Sequence, residues 1–441
     1  MRKKIVATLL ASLMVVSLAA CGGGSGEAAG GDAKEEGAGA AVDENTLSVW
    51  TWDPNFNIYA MQVAEKLYAE DHEGFKLDIT EIKSEDIEMK ITTAVSAGDL
   101  STLPDIFLMQ DNSFQKFATN YPAVFTDLTD KGIKYDEFSQ AKVAYSTLDG
   151  KNYGVPFDNG AVVNLMRTDI LEQAGFTIED FTDITWSDYM EKAKVVLEKT
   201  GIPMITSQAG SPDQIMFMLQ SCGASLFDKD GKVIIEGNEP LKESMEIYAQ
   251  MVKDGTLVEV TDWDQYVASL NNGTVCSTLN GCWIMASVTA KEDQSGLWGI
   301  TNMPRLDKAE GATNYSNNGG SSWAITSNCH NVDLAVDFLS TMYGGNQAFY
   351  DDIIQKGALA TWAPAAESEV YNQPVEFFGN DAIYAKIVDF STKTPANITG
   401  AFYYDARNAV GEQLSNVTQT GMSIDDAIKA AQETADFAIT Q

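Results

Sequence analysis

The chain has 441 residues, 44% of them hydrophobic, and 63 acidic residues against 29 basic ones give a formal net charge of −34. This length and apolar content are enough for two domains with buried cores. The acidity argues against nucleic acid and anionic lipid as partners, because both are bound through clusters of lysine and arginine.

The first twenty residues have the layout of a secretory signal peptide. Three basic residues follow Met1, an apolar stretch runs from Ile5 to Ala20, and Cys21 comes next. The stretch is too short to be a comfortable spanning helix. Leu18-Ala19-Ala20-Cys21 resembles the bacterial lipobox, in which the cysteine becomes the first mature residue and carries a diacylglycerol. We predict residues 1–20 to be a lipoprotein signal peptide and Cys21 to be lipidated. The alternative is an ordinary signal peptide with an incidental cysteine.

Residues 21–44 are predicted to form a disordered tether that begins at the lipidated cysteine. They are almost all Gly, Ala, Asp, Glu and Ser, and such a segment cannot bury enough apolar surface to fold. As a flexible chain it would span roughly 25 Å. No later segment approaches 18 uninterrupted apolar residues, so the lipid is the only membrane contact we predict.

The folded part begins with alternating strand and helix patterns. We predict strands at Leu47–Trp52, Lys76–Ile82 and Pro104–Met109, with helices at about Tyr59–Asp71 and Asp86–Ala97 between them. This βαβαβ order predicts an α/β fold, with a parallel sheet covered by helices. In such sheets, ligands bind beyond the carboxyl ends of the strands.

Polar and aromatic residues follow two of these strands and are candidate ligand contacts: Trp52, Asp53 and Asn55 after the first, and Asp111 and Asn112 after the third. Each has a structural alternative. Trp52 could belong to the core. Asp53, which precedes a proline, could form a turn, and Asp111 could cap a helix that starts at Ser113.

Several segments, in order from about residue 45 to the end, resemble the family 1 extracellular solute-binding proteins, which are the maltose-binding-protein-like receptors of ABC importers. They include Trp50–Asn55, Ala97–Asp99, Leu103–Ile106, Gly150–Phe157, Leu171–Phe176, Thr185–Tyr189, Asn280–Trp283, Gly319–Ile325, Ala335–Leu339, Gly400–Tyr404 and the helical pattern from Ser423 to Ile439. Two positions depart from the family pattern. Cys282 replaces a common proline, and Tyr403 stands where a tryptophan is common.

The resemblance implies two α/β lobes with the ligand between them and three hinge crossings, as in class II periplasmic binding proteins. The N-terminal lobe would comprise 45–157 plus about 315–358, and the C-terminal lobe 158–314 plus about 359–441. We expect the crossings near Phe157–Asn159, Asn314–Gly320 and Gly357–Ala360.

A sugar has apolar C–H faces and many hydroxyl groups, so its receptor needs aromatic surfaces and planar polar groups. By this argument and the resemblance, in which the positions of Trp283 and Tyr403 stack on sugar rings, we predict a ligand site from these residues: Trp52, Asp53, Asn55, Asp111, Asn112, Asp158, Asn159, Trp283, Gly320, Trp362, Tyr403 and Tyr404. Trp186 begins a helix at a position that the family uses for packing, and we leave it out.

The predicted function is a monomeric receptor that captures a carbohydrate, with an oligosaccharide favoured, and delivers it to ABC transporter permease subunits. It would be held by its lipid on the extracellular face of a bacterial cytoplasmic membrane, of the Gram-positive type. No cofactor, metal ligand set, catalytic pair or nucleic-acid partner is predicted. The alternative is a surface-anchored carbohydrate-active enzyme that uses paired carboxylates such as Asp53 and Asp111.

Two further patterns have structural interpretations. Asp228–Lys232 resembles the opening of a calcium loop, but it has Val233 where that loop needs glycine. A β-hairpin turn at Asp230-Gly231 is therefore predicted. The pairing of Cys222, Cys276, Cys282 and Cys329 is left open, because four cysteines allow three pairings.

Overall fold

The structure is a computed structural model, and it describes residues 43–397 and 399–439. The predicted signal peptide, Cys21 and the tether up to residue 42 lie outside these residues. Among the helices that the structure describes, none is long and apolar enough to cross a membrane.

Within the described residues the chain forms twelve strands and fifteen α-helices, joined by loops and short 3-10 helices. The strands are β1 (Thr46–Thr51), β2 (Lys76–Glu81), β3 (Ile106–Gln110), β4 (Thr147–Leu148), β5 (Lys151–Asn152), β6 (Val155–Arg167), β7 (Ile205–Gln208), β8 (Leu257–Val260), β9 (Ser277–Gly281), β10 (Trp298–Thr301), β11 (Asn317–Ile325) and β12 (Leu359–Ala360). The helices are α1 (Asn57–Ala69), α2 (Ser84–Ala97), α3 (Asp111–Asn120), α4 (Gln140–Tyr145), α5 (Thr168–Ala174), α6 (Trp186–Thr200), α7 (Asp213–Ser221), α8 (Glu239–Asp254), α9 (Trp263–Asn271), α10 (Met285–Thr289), α11 (Val332–Tyr343), α12 (Gln347–Ile353), α13 (Ile383–Lys393), α14 (Tyr403–Thr420) and α15 (Ile424–Ile439).

The elements β1, α1, β2, α2 and β3 occur in this order along the chain and confirm the predicted βαβαβ unit. Strand β1 pairs in parallel with both β2 and β3, and helices α1 and α2 connect them. Leu47 and Val49 are fully buried because alternate side chains of a strand point to the same face. The predicted α/β class is therefore confirmed.

Strand β6 joins two parts of one eight-stranded sheet. Its first half pairs with β11 and β12, next to β3, β1 and β2. Its second half pairs instead with β9 and β10. The predicted crossing at Phe157–Asn159 lies within this continuous strand, and those at Asn314–Gly320 and Gly357–Ala360 include the starts of β11 and β12. The lobe boundaries themselves stay a prediction.

The second half of β6 is buried on both faces. Val162 and Met166 join a cluster with helices α5 to α8, α14 and α15. Val163 and Leu165 face a second cluster, to which α9, α10 and α13 contribute. A strand covered by helices on both faces reads as a continuous apolar run, and burying each such side chain contributes about 1.5–3 kcal/mol.

A bulge in β11 lies opposite the middle of β6. Asn317 pairs with Ala161 and Gly320 with Asn159, so two residues, Asn318 and Gly319, face Gly160 alone. A Cβ atom at Gly160 would lie only 2.0 Å from the carbonyl oxygen of Asn318. Glycine is therefore required at position 160 by the close approach of two backbones.

Gly160→Ala is expected to lower the free energy of unfolding by about 2 kcal/mol or more, because the added methyl group must push apart β6 and β11. The matched control is Gly400→Ala, since a Cβ atom at Gly400 would meet no atom of the described residues within 4 Å. This substitution should change stability by less than about 0.5 kcal/mol. Urea denaturation followed by circular dichroism measures both. Equal stability of the two variants would contradict the proposed close packing.

Three smaller sequence predictions can be compared with the structure. The hairpin at Asp230-Gly231 is confirmed by the antiparallel bridge between Phe227 and Val233. Trp186 is fully buried at the start of α6, as expected of a packing residue. The four cysteines within the described residues are free thiols.

Candidate functional site

A narrow cleft, with a cavity volume of about 20 Å³, lies beside the bulge of β11. The cleft is lined by Asn112, Tyr145, Met216, Leu219, Gln220, Ala224, Ser225, Leu226, Asn317, Asn318, Gly319, Asn397 and Tyr403. Two of the residues predicted from the sequence, Asn112 and Tyr403, are therefore brought together here.

None of the described residues that line this cleft carries a charge, although the whole chain is strongly acidic. The lining offers amide groups and tyrosine hydroxyls beside apolar side chains. Charged ligands need opposite charges or metal ions when they are desolvated. The arrangement therefore suits a neutral ligand with many hydrogen-bonding groups.

The bulge is held in place by its own side chains. The Oδ1 of Asn317 accepts from the backbone N–H of Gly160 at 2.9 Å, and its Nδ2 donates to the carbonyl of Gly319 at 2.7 Å. The carbonyl of Asn318 accepts from the indole N–H of Trp283 at 2.8 Å. β-Bulges are frequent next to binding sites, where they redirect side chains.

Trp283 belongs to an aromatic group next to the bulge. Its ring lies 5.8 Å from that of Trp263, which stacks on Tyr266 at 5.1 Å. Trp283 was predicted from the sequence as a site residue, whereas Trp263 and Tyr266 were not. Their spacing of three residues places them on one face of α9, and this was the available signal.

The N-terminus of α14 carries the predicted pair Tyr403 and Tyr404. Tyr403 is only 8% exposed, and burial raises its pKa to about 12. The hydroxyl of Tyr404 donates to Gln110, and the guanidinium of Arg407 lies 5.6 Å from the Tyr404 ring. Arg407 is paired with Asp213, so this cation is already neutralised.

Asp111 does not cap a helix that starts at Ser113. Helix α3 already begins at Asp111, with Gln110 as its N-cap. The Asp111 carboxylate is 4% exposed and pairs with Lys142, whose side chain is 1% exposed. The Ser322 hydroxyl also donates to it, at 3.1 Å. Lys142 was not predicted from the sequence.

Asp158 completes this buried charged cluster, which we call the junction cluster: Asp111, Lys142 and Asp158. Asp158 lies in β6 and accepts the backbone N–H of Ser321 at 2.9 Å. Lys142 donates to the Ser321 carbonyl at 2.7 Å. A Cβ atom at Gly320 would lie 2.6 Å from Oδ2 of Asp111, so the predicted site residue Gly320 makes room for this cluster.

The ammonium group of Lys142 is thus the positive charge that stabilises two buried carboxylates, those of Asp111 and Asp158. Burial and the charge of Asp111 raise the pKa of Asp158 to about 7, against the opposing effects of Lys142 and the N–H of Ser321. The folded state therefore binds this proton more tightly than the unfolded chain does.

Stability is expected to fall as pH rises from about 4 to 7, because the pKa of Asp158 is higher in the folded state than in the unfolded chain. The slope from this group is at most about 1.4 kcal/mol per pH unit. Asp158→Asn keeps an acceptor for Ser321 and removes the titration, so the variant should lose less stability between pH 5 and pH 8. Urea midpoints at each pH test this, and parallel curves for the two proteins would refute it.

The remaining predicted residues do not line this cleft. The Asp53 carboxylate accepts the N–H of Asn55 at 3.0 Å, and Asp53 has a positive φ of 57°, which is the geometry of a turn. Trp52 packs against two core clusters. Their role as ligand contacts stays a prediction.

Two more predicted residues have structural partners outside the cleft lining. The indole N–H of Trp362 donates to Glu137 at 2.9 Å, and its ring stacks on Tyr350 at 5.9 Å. Asn159 pairs with Gly320 and Leu359 across two strands. Neither residue is brought to the cleft, and their contact with a ligand also stays a prediction.

Comparison with known proteins extends over almost the whole folded part. Residues 64–379 match the family model described as "Bacterial extracellular solute-binding protein". The chain is 36% identical over 390 residues to a lactose-binding protein of Rhizobium radiobacter, covering 88% of this chain and 92% of that protein. It is 24% identical over 361 residues to an arabinooligosaccharide-binding protein of Halalkalibacterium halodurans, covering 77% and 78% respectively.

A solved structure has the same fold. It is the ABC transporter associated binding protein from B. animalis subsp. lactis Bl-04 in complex with beta-1,6-galactobiose, with a TM-score of 0.77 and 21% identity, covering 90% of this chain and 98% of that one. The predicted two-lobed α/β architecture is thereby confirmed. Together, the match to the family model and the 36% identity to a binding protein along most of both chains show that this protein belongs to the bacterial extracellular solute-binding proteins.

Proposed function

We propose that this protein is a receptor that captures a carbohydrate of two or more sugar units outside the cell and delivers it to an ABC importer. The observation that carries the proposal is the uncharged cleft, with its amides and hydroxyls beside aromatic rings. Such a lining matches the hydroxyl groups and apolar faces of a sugar. It also favours a neutral ligand over a cationic one.

The relatives support the same ligand class. Both curated relatives named above bind sugars, according to their names, and the solved structure contains a galactobiose. The enzyme alternative is less favoured, because one of its two carboxylates, Asp111, is buried and paired with Lys142. A glycosidase needs both carboxyl groups beside the scissile bond.

A thermal-shift screen tests the proposal. Lactose, arabinooligosaccharides and β-1,6-galactobiose are compared with amino acids and polyamines, since a ligand that binds only the folded state must raise the melting temperature. At a hundredfold excess over Kd, the stabilisation is about 2.7 kcal/mol. A shift with polyamines and none with any saccharide would contradict the proposal. Sugar hydrolysis during incubation would favour the enzyme.

Lipid attachment at Cys21 is part of the same proposal, and Cys21→Ala tests it. The variant should no longer be lipidated, and so should be secreted or left unprocessed. The wild-type protein should fractionate with membranes, because two acyl chains bind a bilayer far more stably than one. The measurement is cell fractionation followed by mass spectrometry of the N-terminus. A processed Cys21→Ala protein that stays with the membrane would contradict the anchor.

A further inference from the structure

Asn280, near the end of β9, connects three groups around the cleft without lining it. It is 7% exposed. Its Oδ1 accepts from the backbone N–H of Gly281 at 2.9 Å and from Nδ2 of Asn318 at 2.8 Å. Its own Nδ2 donates to the Tyr266 hydroxyl at 3.2 Å. Asn280 therefore links the bulge of β11 to the aromatic group.

These bonds fix the direction of two side-chain amides. A backbone N–H can only donate, so the atom of Asn280 that faces Gly281 must be its oxygen. The same oxygen faces Asn318, which must therefore present its NH₂ group to Asn280. Amide orientation is assigned from the hydrogen-bond network in this way. Here the assignment starts from the backbone N–H of Gly281, which cannot act as an acceptor.

The Oδ1 of Asn318 is left without a donor among the described residues, while Asn318 lines the cleft. The backbone carbonyl of Asn318 accepts from the indole N–H of Trp283, so the backbone of this residue is also fixed in position. Asn112, another cleft residue, has a buried Oδ1 without a partner in the described part of the chain. Both asparagines therefore retain acceptors that hydroxyl groups can satisfy.

We propose that Asn318 is a specificity-determining residue that presents an acceptor to a ligand hydroxyl, and that Asn280 is the positioning residue that fixes this polarity. The inference rests on the proposed function, because it assigns one contact within the same cleft. A site built to accept a hydroxyl rejects an analogue without that donor, since its own acceptor is then buried and unpaired.

The binding test uses lactose and its set of monodeoxyfluoro analogues, in which fluorine replaces one hydroxyl and removes the donor. Isothermal titration calorimetry on the wild-type chain should find at least one analogue with about tenfold lower affinity, or about 1.4 kcal/mol. Asn318→Leu should bind lactose about tenfold more weakly and discriminate against that analogue by less than twofold. If Asn318→Leu still bound every analogue that the wild type rejects about tenfold more weakly than lactose, the proposal would be overturned.

Variants at position 280 separate positioning from general stability. Asn280→Leu removes the bond that orients Asn318, and it should reduce the discrimination against the same analogue to below threefold. Asn280→Asp keeps acceptors for Gly281 and Asn318, and it should preserve the discrimination. A purely structural role of Asn280 would instead lower the melting temperature of Asn280→Leu while leaving the discrimination intact, and that result would refute positioning.

Asn164→Leu is the matched control. Asn164 is a fully buried asparagine in the neighbouring strand β6, and within the described residues neither of its amide atoms has a partner. It does not line the cleft, so its replacement should leave lactose affinity and discrimination unchanged. A loss of discrimination in this variant equal to that of Asn280→Leu would mean that any buried change disturbs the site, and it would overturn the proposal.

A measurement without ligand decides the polarity separately. In protein labelled with ¹⁵N-asparagine, one side-chain NH₂ proton of Asn318 should be protected from hydrogen exchange in the wild type and unprotected in Asn280→Leu. An unprotected NH₂ group in the wild type would refute this inference even if lactose binds. Failure of every saccharide in the thermal-shift screen contradicts the proposed function instead, so the two failures can be told apart.

Discussion

Lys142→Met is expected to destabilise the protein by about 3–5 kcal/mol, because it leaves two buried carboxylates without their cation. Lys142 is the ion-pair partner of Asp111 and also donates to the Ser321 carbonyl at 2.7 Å. Asp158 lies in the same cluster, and its pKa reflects the charge of Lys142. A net stability of 5–15 kcal/mol is usual for a folded domain, so this loss would be a large fraction of the total.

The control is a second lysine–aspartate pair, Lys116 with Asp405, in which the atoms lie 2.8 Å apart and both side chains are about one third exposed. Lys116→Met should cost no more than about 1 kcal/mol, because solvent screens exposed pairs. Replacing both Lys142 and Asp111 by apolar residues should recover part of the stability lost in Lys142→Met. Urea denaturation measures the three variants. Equal losses of stability in Lys142→Met and Lys116→Met would show that burial of the junction cluster does not determine the effect of removing its lysine.

Lys142 shows why part of the site cannot be predicted from the sequence. In the sequence it is a single lysine in the short segment Ser139–Tyr145, and no motif there distinguishes it from other lysines. The partners that take it into the interior, Asp111 and Ser321, are 31 and 179 residues away along the chain. Only the folded chain brings these residues together.

Local patterns, by contrast, were sufficient for the first sheet. The alternation in Leu47–Trp52 and the helical spacing from Tyr59 predicted β1 and α1 to within a few residues. These signals are local because strand and helix periodicities act over neighbouring residues. The family resemblance added the position of Tyr403, which proved to line the cleft. Trp362 was selected instead by the chemical argument about sugar receptors; its indole N–H donates to Glu137, and its contact with a ligand stays a prediction.

The bulge at Asn317–Gly320 could be predicted from the sequence only in part. Its Asn-Asn-Gly-Gly sequence marks an irregular segment, and it was predicted as a crossing. Its role in the site depends on Gly160, because the absence of a side chain there lets the carbonyl of Asn318 approach β6. That carbonyl in turn fixes the ring of Trp283. A sequence pattern marks the irregularity, but it does not indicate which atoms the irregularity brings together.

Tyr403→Ala and Trp283→Ala are each expected to weaken binding of the cognate sugar about thirtyfold, which corresponds to about 2 kcal/mol. Tyr403 lines the cleft, and Trp283 is bonded to the cleft residue Asn318. Truncating Tyr403 removes an aromatic surface from the cleft, and truncating Trp283 removes the donor that holds the Asn318 carbonyl. Isothermal titration calorimetry with the saccharide that gives the largest thermal shift measures the change.

Both variants should also lose some stability, because Tyr403 and Trp283 pack against core clusters. Tyr384→Ala controls for this effect. Tyr384, on α13, is 5% exposed compared with 8% for Tyr403, and it does not line the cleft. Its truncation should lower the melting temperature while leaving sugar affinity within about twofold. If Tyr384→Ala weakened binding as much as Tyr403→Ala, the loss would reflect general destabilisation. Unchanged sugar affinity in Tyr403→Ala and Trp283→Ala would show that neither ring contributes to the site.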